Sequence, residues 1–125
     1  MRFTVLASDL LVFFPAVAAF AYAAVKRSSG SDSGMQRLSA AAPVMFLPAL
    51  LIIDHGHFQY NGVSLGFALL AMSEYIRFDR VSASTLSHGS VMPLLSSALF
   101  LCCSCAFKQM SLYYTLAFLA VMLGE

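Results

Sequence analysis

Residues 54 to 61 hold most of the side chains in this chain that are able to do chemistry. They include one carboxylate, two imidazoles, two amides and a phenol, from Asp54, His55, His57, Gln59, Tyr60 and Asn61. The runs on either side, residues 44–53 and 63–72, are apolar. A polar cluster at the mouth of two membrane helices is costly to hold unless it binds something. The pattern therefore predicts a binding site, with an ordinary solvated loop as the alternative.

The acid and the two histidines of this stretch are also residue types that bind metal ions. Asp54, His55 and His57 could each donate to zinc. A complete zinc site needs further ligands, and His88, the remaining histidine, lies in a different predicted loop. We therefore predict neither a metal ion nor a cofactor, and zinc is kept as an alternative.

Two more places put polar side chains into apolar sequence. Lys108, followed by Gln109, is the only lysine or arginine after Arg80. Its ammonium group offers a fixed positive charge for a phosphate, although a lysine that reaches towards the membrane surface is the alternative. Asp9 interrupts the first apolar segment and is either functional or solvated near the interface.

These groups fit a phosphorylated lipid with a polar head better than an ion pathway. The lysine would bind the phosphate, and the histidines and amides offer donors and acceptors for hydroxyl groups. Phe58 and Tyr60 offer apolar faces for sugar rings or prenyl chains.

The composition is that of a membrane protein. The chain has 125 residues, of which 60% are hydrophobic, with seven basic and six acidic residues. Mean hydropathy is +0.82. So few charges cannot cover a soluble core of this size. The net charge of +1 does not indicate nucleic-acid binding. Cys102, Cys103 and Cys105 lack metal-binding spacing, and we expect free buried thiols.

Five apolar segments predict an all-α, polytopic membrane protein with about five transmembrane helices in a single domain, 1–125. The segments are residues 3–25, 38–53, 62–76, 91–107 and 112–123. A basic linker, 26–37, joins the first two, and Arg77 and Arg80 follow the third. Because basic loops stay cytoplasmic, the polar motif 54–61 and Lys108 are expected on the opposite face of the membrane.

Three stretches also resemble a known family. IIDHGHFQYN at 52–61, followed by VSLGF at 63–67, is similar to the signature of the endoplasmic-reticulum dolichyl-phosphate-glucose-dependent α-1,3-glucosyltransferases. FKQM at 107–110, with LYY at 112–114, resembles the next motif of that family, and MRFTVL at 1–6 with DLL at 9–11 and PAV at 15–17 resembles an earlier one. The matches occur in family order across nearly the whole chain.

The resemblance implies a partial GT-C membrane fold, multi-pass in the endoplasmic-reticulum membrane, with the polar motif facing the lumen. The implied reaction is an inverting transfer of glucose from dolichyl phosphate glucose to the dolichyl-diphosphate-linked high-mannose oligosaccharide. Lys108 would neutralise the donor phosphate. The other residues implied to bind substrate are Asp54, His55, His57, Gln59, Tyr60, Asn61 and Gln109, with Asp9 as a further candidate.

The chain departs from the family in extent. The resemblance implies that the catalytic acid lies upstream of the first match, near a Tyr-Pro-Pro motif that this sequence lacks. We therefore assign no catalytic residue, expect an internal portion of a longer enzyme, and expect the chain alone to be inactive.

The resemblance leaves the branch of the family open. Residues 63–67 and the Gln-Met after Lys108 favour the branch that adds the first glucose, whereas Gly62 is typical of the branch that adds the second. Two alternatives lie outside catalysis: a truncated membrane protein that binds dolichyl lipid, and a small membrane scaffold or transport-related protein.

Overall fold

The structure, a computed structural model, describes residues 2–28, 34–46, 61–84 and 91–123. Every regular element in these ranges is helical, so the predicted all-α class is confirmed for them. The elements are α1 (Arg2–Ser8), a π-helical turn (Asp9–Phe13), α2 (Phe14–Ser28), α3 (Gly34–Met45), α4 (Asn61–Ser84), α5 (Val91–Phe107), a 3-10 turn (Gln109–Ser111) and α6 (Leu112–Leu123).

A proline explains the wide turn in the first segment. Pro15 has no N–H, and its ring would crowd the carbonyl group four residues earlier in a regular α-helix. The backbone widens just before it, where the N–H of Phe14 donates to the carbonyl of Asp9, five residues back. Asp9 and Phe13, the first and last residues of this turn, are both buried.

The first segment and α4 run in the same direction. A Cβ atom on Gly66 would lie 3.1 Å from Val12 Cγ1 and 3.3 Å from the Phe13 backbone, so the absence of a side chain at residue 66 permits this close approach. Further along, Arg27 Nη1 lies 3.0 Å from Asp79 Oδ2. Residue numbers therefore rise together in the two helices.

The other helices alternate in direction. Ser97 Oγ of α5 donates to the Ala71 carbonyl at 2.8 Å, and Ser104 Oγ donates to the Ser64 carbonyl at 2.8 Å, so α5 is antiparallel to α4. Ser64 Oγ lies 2.6 Å from Ser111 Oγ, just before α6, and Tyr75 Oη donates to the Val121 carbonyl at 3.5 Å, so α6 is parallel to α4.

Helix α3 runs antiparallel to α2. The Arg37 guanidinium lies 4.8 Å from the centre of the Tyr22 ring. Val44, near the other end of α3, packs against a buried cluster that includes Phe13 and Val17. As residue numbers rise in α3, their partners in the first segment therefore have lower numbers.

Alternating directions give the described bundle two ends of different character. The Asn61 end holds the start of α4 and the turn between α5 and α6, whereas the Arg27 end holds the Arg27–Asp79 ion pair. Along α4, Asn61 and Asp79 are separated by roughly 27 Å, close to the ~30 Å hydrocarbon core of a bilayer.

The distribution of polar side chains also fits a membrane. Large apolar side chains such as Phe3, Leu11 and Leu116 are more than three-quarters exposed, at 88%, 77% and 76%, whereas Ser97 and Ser104 are fully buried. Small and polar residues typically occupy helix contacts in membranes, where the exterior is apolar.

The number of complete membrane spans is not confirmed. Among the described residues, one helix, Phe3–Arg27, is long and apolar enough to cross a membrane, and Val91–Phe107 is a shorter apolar helix. The prediction of about five transmembrane helices stays a prediction.

The predicted basic linker, 26–37, is longer than the segment outside the helices. Lys26 and Arg27 lie within α2, and Arg37 lies within α3. The third segment likewise continues past residue 76 to Ser84, into the predicted loop.

Candidate functional site

The predicted site residues fall into two groups. Asp54, His55, His57, Gln59 and Tyr60 lie outside the residues that the structure describes, so their binding roles stay predictions. The described members are Asp9, Asn61, Lys108 and Gln109.

The structure brings Lys108 and Asn61 together. Asn61 is the first residue of α4, and Lys108 lies in the break between α5 and the 3-10 turn. The Lys108 ammonium donates to the Asn61 side-chain oxygen across a sequence separation of 47 residues. Both residues are partly buried. The last residue of the polar motif 54–61 therefore contacts the lysine of the second motif.

The other two described candidates lie at the same end. Asp9, 3% exposed, precedes Phe13 by about one helical turn, and Phe13 packs opposite Gly66. Because the two helices are parallel, Asp9 lies near the level of Asn61 along the bundle. Gln109 is exposed on the 3-10 turn. All four described candidates are thus at the Asn61 end.

The backbone of Lys108 is held on both sides. Its N–H donates to the Ser104 carbonyl at 3.1 Å, and its carbonyl accepts from the Ser111 N–H at 3.1 Å. The chain therefore passes from α5 to α6 with both backbone polar groups of Lys108 in hydrogen bonds to protein.

Three buried serines, Ser64, Ser104 and Ser111, form a cluster beside this break, which we call the serine cluster. The Ser64 and Ser111 hydroxyl oxygens are 2.6 Å apart, and the Ser104 and Ser111 oxygens are 2.9 Å apart. Ser64 Oγ also lies 3.2 Å from the Ser104 carbonyl oxygen. All three hydroxyl protons find acceptors if Ser111 donates to Ser64 Oγ, Ser64 to the Ser104 carbonyl, and Ser104 to the Ser64 carbonyl.

The sequence contained a signal for this cluster that residue-type reasoning missed. Ser97, Ser104 and Ser111 recur every seven residues in apolar sequence, a spacing that keeps side chains on about the same helix face. The partner on α4, Ser64, lies three residues after Asn61 and therefore on nearly the same face as Asn61.

The arrangement at the Asn61 end suits recognition of an anion. The Asn61 amide is neutral, so its hydrogen bond orients the Lys108 ammonium group without cancelling the positive charge. A partly buried ammonium group attracts a phosphate more strongly than a fully solvated one, because the local dielectric constant is lower.

A cleft of about 280 Å³ lies towards the Arg27 end and is lined partly by Tyr22, Lys26, Glu74 and Arg77. The charged residues that line this cleft contact one another or Tyr22: Arg77 Nη1 is 2.7 Å from Glu74 Oε1, and Lys26 Nζ is 3.1 Å from the Tyr22 hydroxyl. We assign no substrate to it.

Within the described ranges, no group of three or more His, Cys, Asp or Glu side chains could hold a metal ion. The residues weighed for zinc, Asp54, His55 and His57, lie outside those ranges.

Comparison with known proteins identifies the family. Residues 1–125 match the ALG6, ALG8 glycosyltransferase family. The chain is 38% identical over 125 residues to the dolichyl pyrophosphate Man9GlcNAc2 alpha-1,3-glucosyltransferase of Rattus norvegicus, covering 100% of this chain and 21% of that protein. It is 39% identical over 125 residues to the protein of the same name from Gallus gallus, with the same coverage of 100% and 21%.

A fungal relative gives the same result. The Saccharomyces cerevisiae protein of that name is 37% identical over 125 residues, which are 100% of this chain and 20% of that protein. The chain thus spans about a fifth of the length of the curated relatives it matches. No solved structure matches it.

The resemblance drawn from the three motifs is confirmed at the level of the family, without a distinction between its branches. Because the match extends over all 125 residues, the chain belongs to the ALG6, ALG8 glycosyltransferase family.

Proposed function

We propose that this chain is part of a glucosyltransferase of the endoplasmic-reticulum membrane. The enzyme transfers glucose from dolichyl phosphate glucose to the dolichyl-diphosphate-linked high-mannose oligosaccharide, an early substrate of protein N-glycosylation. The observation that carries the proposal is the contact between Lys108 and Asn61, which joins two family motifs into one cationic site.

The proposed chemistry explains why a lysine belongs at this position. The bond between glucose C1 and the phosphate oxygen of the donor breaks, and a bond between C1 and an acceptor mannose oxygen forms. The acceptor proton passes to a base, which we do not assign within this chain. The departing dolichyl phosphate gains negative charge in the transition state, and Lys108 stabilises that charge.

The polar motif 54–61 would complete the sugar-binding side of the site. Its histidines and amides have the donors and acceptors that glucose hydroxyls require, and its phenol has an apolar face that suits a sugar ring. Asn61, the described residue of this motif, lies against Lys108.

The acceptor proposed is the oligosaccharide that carries no glucose. The relatives' names describe Man9GlcNAc2, which contains mannose and N-acetylglucosamine alone. An α-1,3-glucosyltransferase that acts on such a glycan adds its first glucose. The branch that adds the second glucose would require an acceptor that is already glucosylated.

A transfer assay tests both the reaction and the branch. The native full-length protein, purified from membranes, is supplied with radiolabelled dolichyl phosphate glucose and either the unglucosylated or the monoglucosylated lipid-linked glycan. We expect transfer of labelled glucose to the unglucosylated glycan to be at least about tenfold faster than transfer to the monoglucosylated glycan. The reason is that the acceptor hydroxyl must lie in a defined position next to the donor.

Two results of this assay would contradict the proposal. Faster transfer to the monoglucosylated glycan would assign the chain to the second-glucose branch. Saturable donor binding with no transfer to either glycan would instead support a membrane protein that binds dolichyl lipid without turnover.

Cysteine labelling tests the orientation. With the native cysteines replaced by alanine, Gln109→Cys reports on the Asn61 end and Met35→Cys on the Arg27 end, and both native side chains are exposed. In sealed microsomes that keep the lumen inside, a charged maleimide is expected to label Met35→Cys at once and Gln109→Cys only after the membrane is permeabilised. The reverse order would contradict a lumenal site.

A further inference from the structure

We propose that the serine cluster holds Lys108 in the position from which it meets the donor phosphate, so that Ser104 and Ser111 are positioning residues for glucose transfer. This inference rests on the proposed function and assigns these serines a role within its site. It does not depend on contact between any serine and substrate.

The first argument is the connection of the cluster to the Lys108 backbone. The Lys108 N–H is bonded to the Ser104 carbonyl and the Lys108 carbonyl to the Ser111 N–H, both at 3.1 Å. The side-chain oxygens of the same two serines lie 2.9 Å apart. The residues on either side of the break are therefore tied together around the lysine.

The second argument is that the cluster fixes this break relative to α4. Ser111 Oγ is 2.6 Å from Ser64 Oγ, and Ser104 Oγ donates to the Ser64 carbonyl at 2.8 Å. Ser64 lies three residues after Asn61, whose side chain accepts from Lys108. One face of α4 therefore makes two contacts with this region. Ser64 contacts the serines on either side of the break, and Asn61 contacts the Lys108 side chain.

The third argument is burial. Ser64, Ser104 and Ser111 are 5%, 0% and 7% exposed, so water cannot replace a lost hydroxyl group easily. Removing one hydroxyl leaves its buried partners with an unmet hydrogen bond. The break is free to shift to recover that bond, and Lys108 shifts with it.

Ser97 provides a matched control. It lies on the same helix as Ser104, seven residues earlier, and is equally buried at 0% exposed. It also donates to an α4 carbonyl at 2.8 Å, that of Ala71. Ser97→Ala should therefore reproduce the loss of a buried interhelical hydrogen bond without touching the break at Lys108.

The experiment measures kcat, the donor KM and the melting temperature of the native full-length protein and its variants. We expect Ser104→Ala and Ser111→Ala to lower kcat about tenfold, with a smaller change in donor KM, because the leaving phosphate carries more negative charge in the transition state than in the bound donor. Ser97→Ala is expected to lower the melting temperature about as much as Ser104→Ala or Ser111→Ala does, and to keep kcat within about twofold of the wild-type value. Ser111→Thr, which keeps a hydroxyl group, should restore most of the rate.

A double variant separates positioning from a general loss of stability. If the serines act through Lys108, then Ser111→Ala combined with Lys108→Met transfers glucose no more slowly than Lys108→Met alone. Additive losses, or equal kcat values for Ser111→Ala and Ser97→Ala, would overturn the inference.

The same measurements distinguish this inference from the proposed function. Wild-type protein that transfers glucose, together with a fully active Lys108→Met variant, would overturn the inference and leave the transferase in place. Wild-type protein that transfers no glucose would overturn both.

Discussion

Replacing Lys108 by methionine is expected to lower kcat/KM for glucose transfer by about 100- to 1,000-fold, the usual loss when a preorganised group that stabilises developing charge is removed. Methionine keeps the length and the apolar stem of the side chain and removes only the charge and the donors. The measurement is steady-state transfer from dolichyl phosphate glucose by the native full-length protein.

A second lysine serves as the control for this substitution. Lys26 lies at the Arg27 end, where its ammonium donates to the Tyr22 hydroxyl at 3.1 Å. Lys26→Met should therefore leave kcat/KM within about twofold, since charge effects across a bilayer's thickness are screened by solvent and salt.

Lys108→Arg tests whether charge alone is enough. Arginine keeps the positive charge but presents it as a planar fork rather than as a compact ammonium group. We expect activity between the wild-type and methionine values. A folded Lys108→Met variant with more than half of the wild-type activity would show that the lysine only anchors the helix break at the membrane surface.

The hydropathy pattern predicted the bounds of α5 and α6 correctly and the end of α4 incorrectly. The bounds of α5 and α6 agree with the predicted segments, and the break around Lys108 separates the end of α5 from the start of α6. Helix α4 instead continues to Ser84, eight residues past the predicted end at residue 76. Arg77 and Asp79 in these extra turns form ion pairs with Glu74 of the same helix and with Arg27 of α2.

The sequence was enough to identify the residues of the candidate site, but it did not predict which of them are in contact. Lys108 and Asn61 were identified because polar groups in apolar sequence usually have a function. Their contact bridges 47 residues and depends on the antiparallel packing of α4 and α5, which the spacing of the motifs does not encode.

The seven-residue spacing of Ser97, Ser104 and Ser111 was visible in the sequence, but the partners of their hydroxyl groups were not. A serine in an apolar helix can satisfy its hydroxyl within its own helix, as Ser73 does by donating to the Leu70 carbonyl at 2.8 Å. Ser104 donates instead to a neighbouring helix. The two cases look alike in sequence, and only the packing of the helices decides between them.

Replacing Asn61 by aspartate is expected to lower kcat/KM for the donor by about 10- to 100-fold, because a carboxylate beside Lys108 cancels the charge that the phosphate requires. The substitution conserves shape and keeps an oxygen that accepts from the ammonium group. It also converts an ammonium–amide hydrogen bond into an ammonium–carboxylate ion pair, which adds attraction between opposite charges. Melting temperature is therefore expected to rise or stay unchanged while activity falls.

This opposition between stability and activity separates a functional lysine from a structural one. If Lys108 only tied the break to α4, Asn61→Asp would strengthen that tie and preserve transfer. Gly34→Asp is the control: it adds the same charge at the Arg27 end, where a Cβ atom meets nothing within 4 Å, and it should leave donor kinetics unchanged. An Asn61→Asp variant with wild-type kinetics and raised stability would remove Lys108 from the donor site and leave the Lys108–Asn61 contact as a helix-packing interaction.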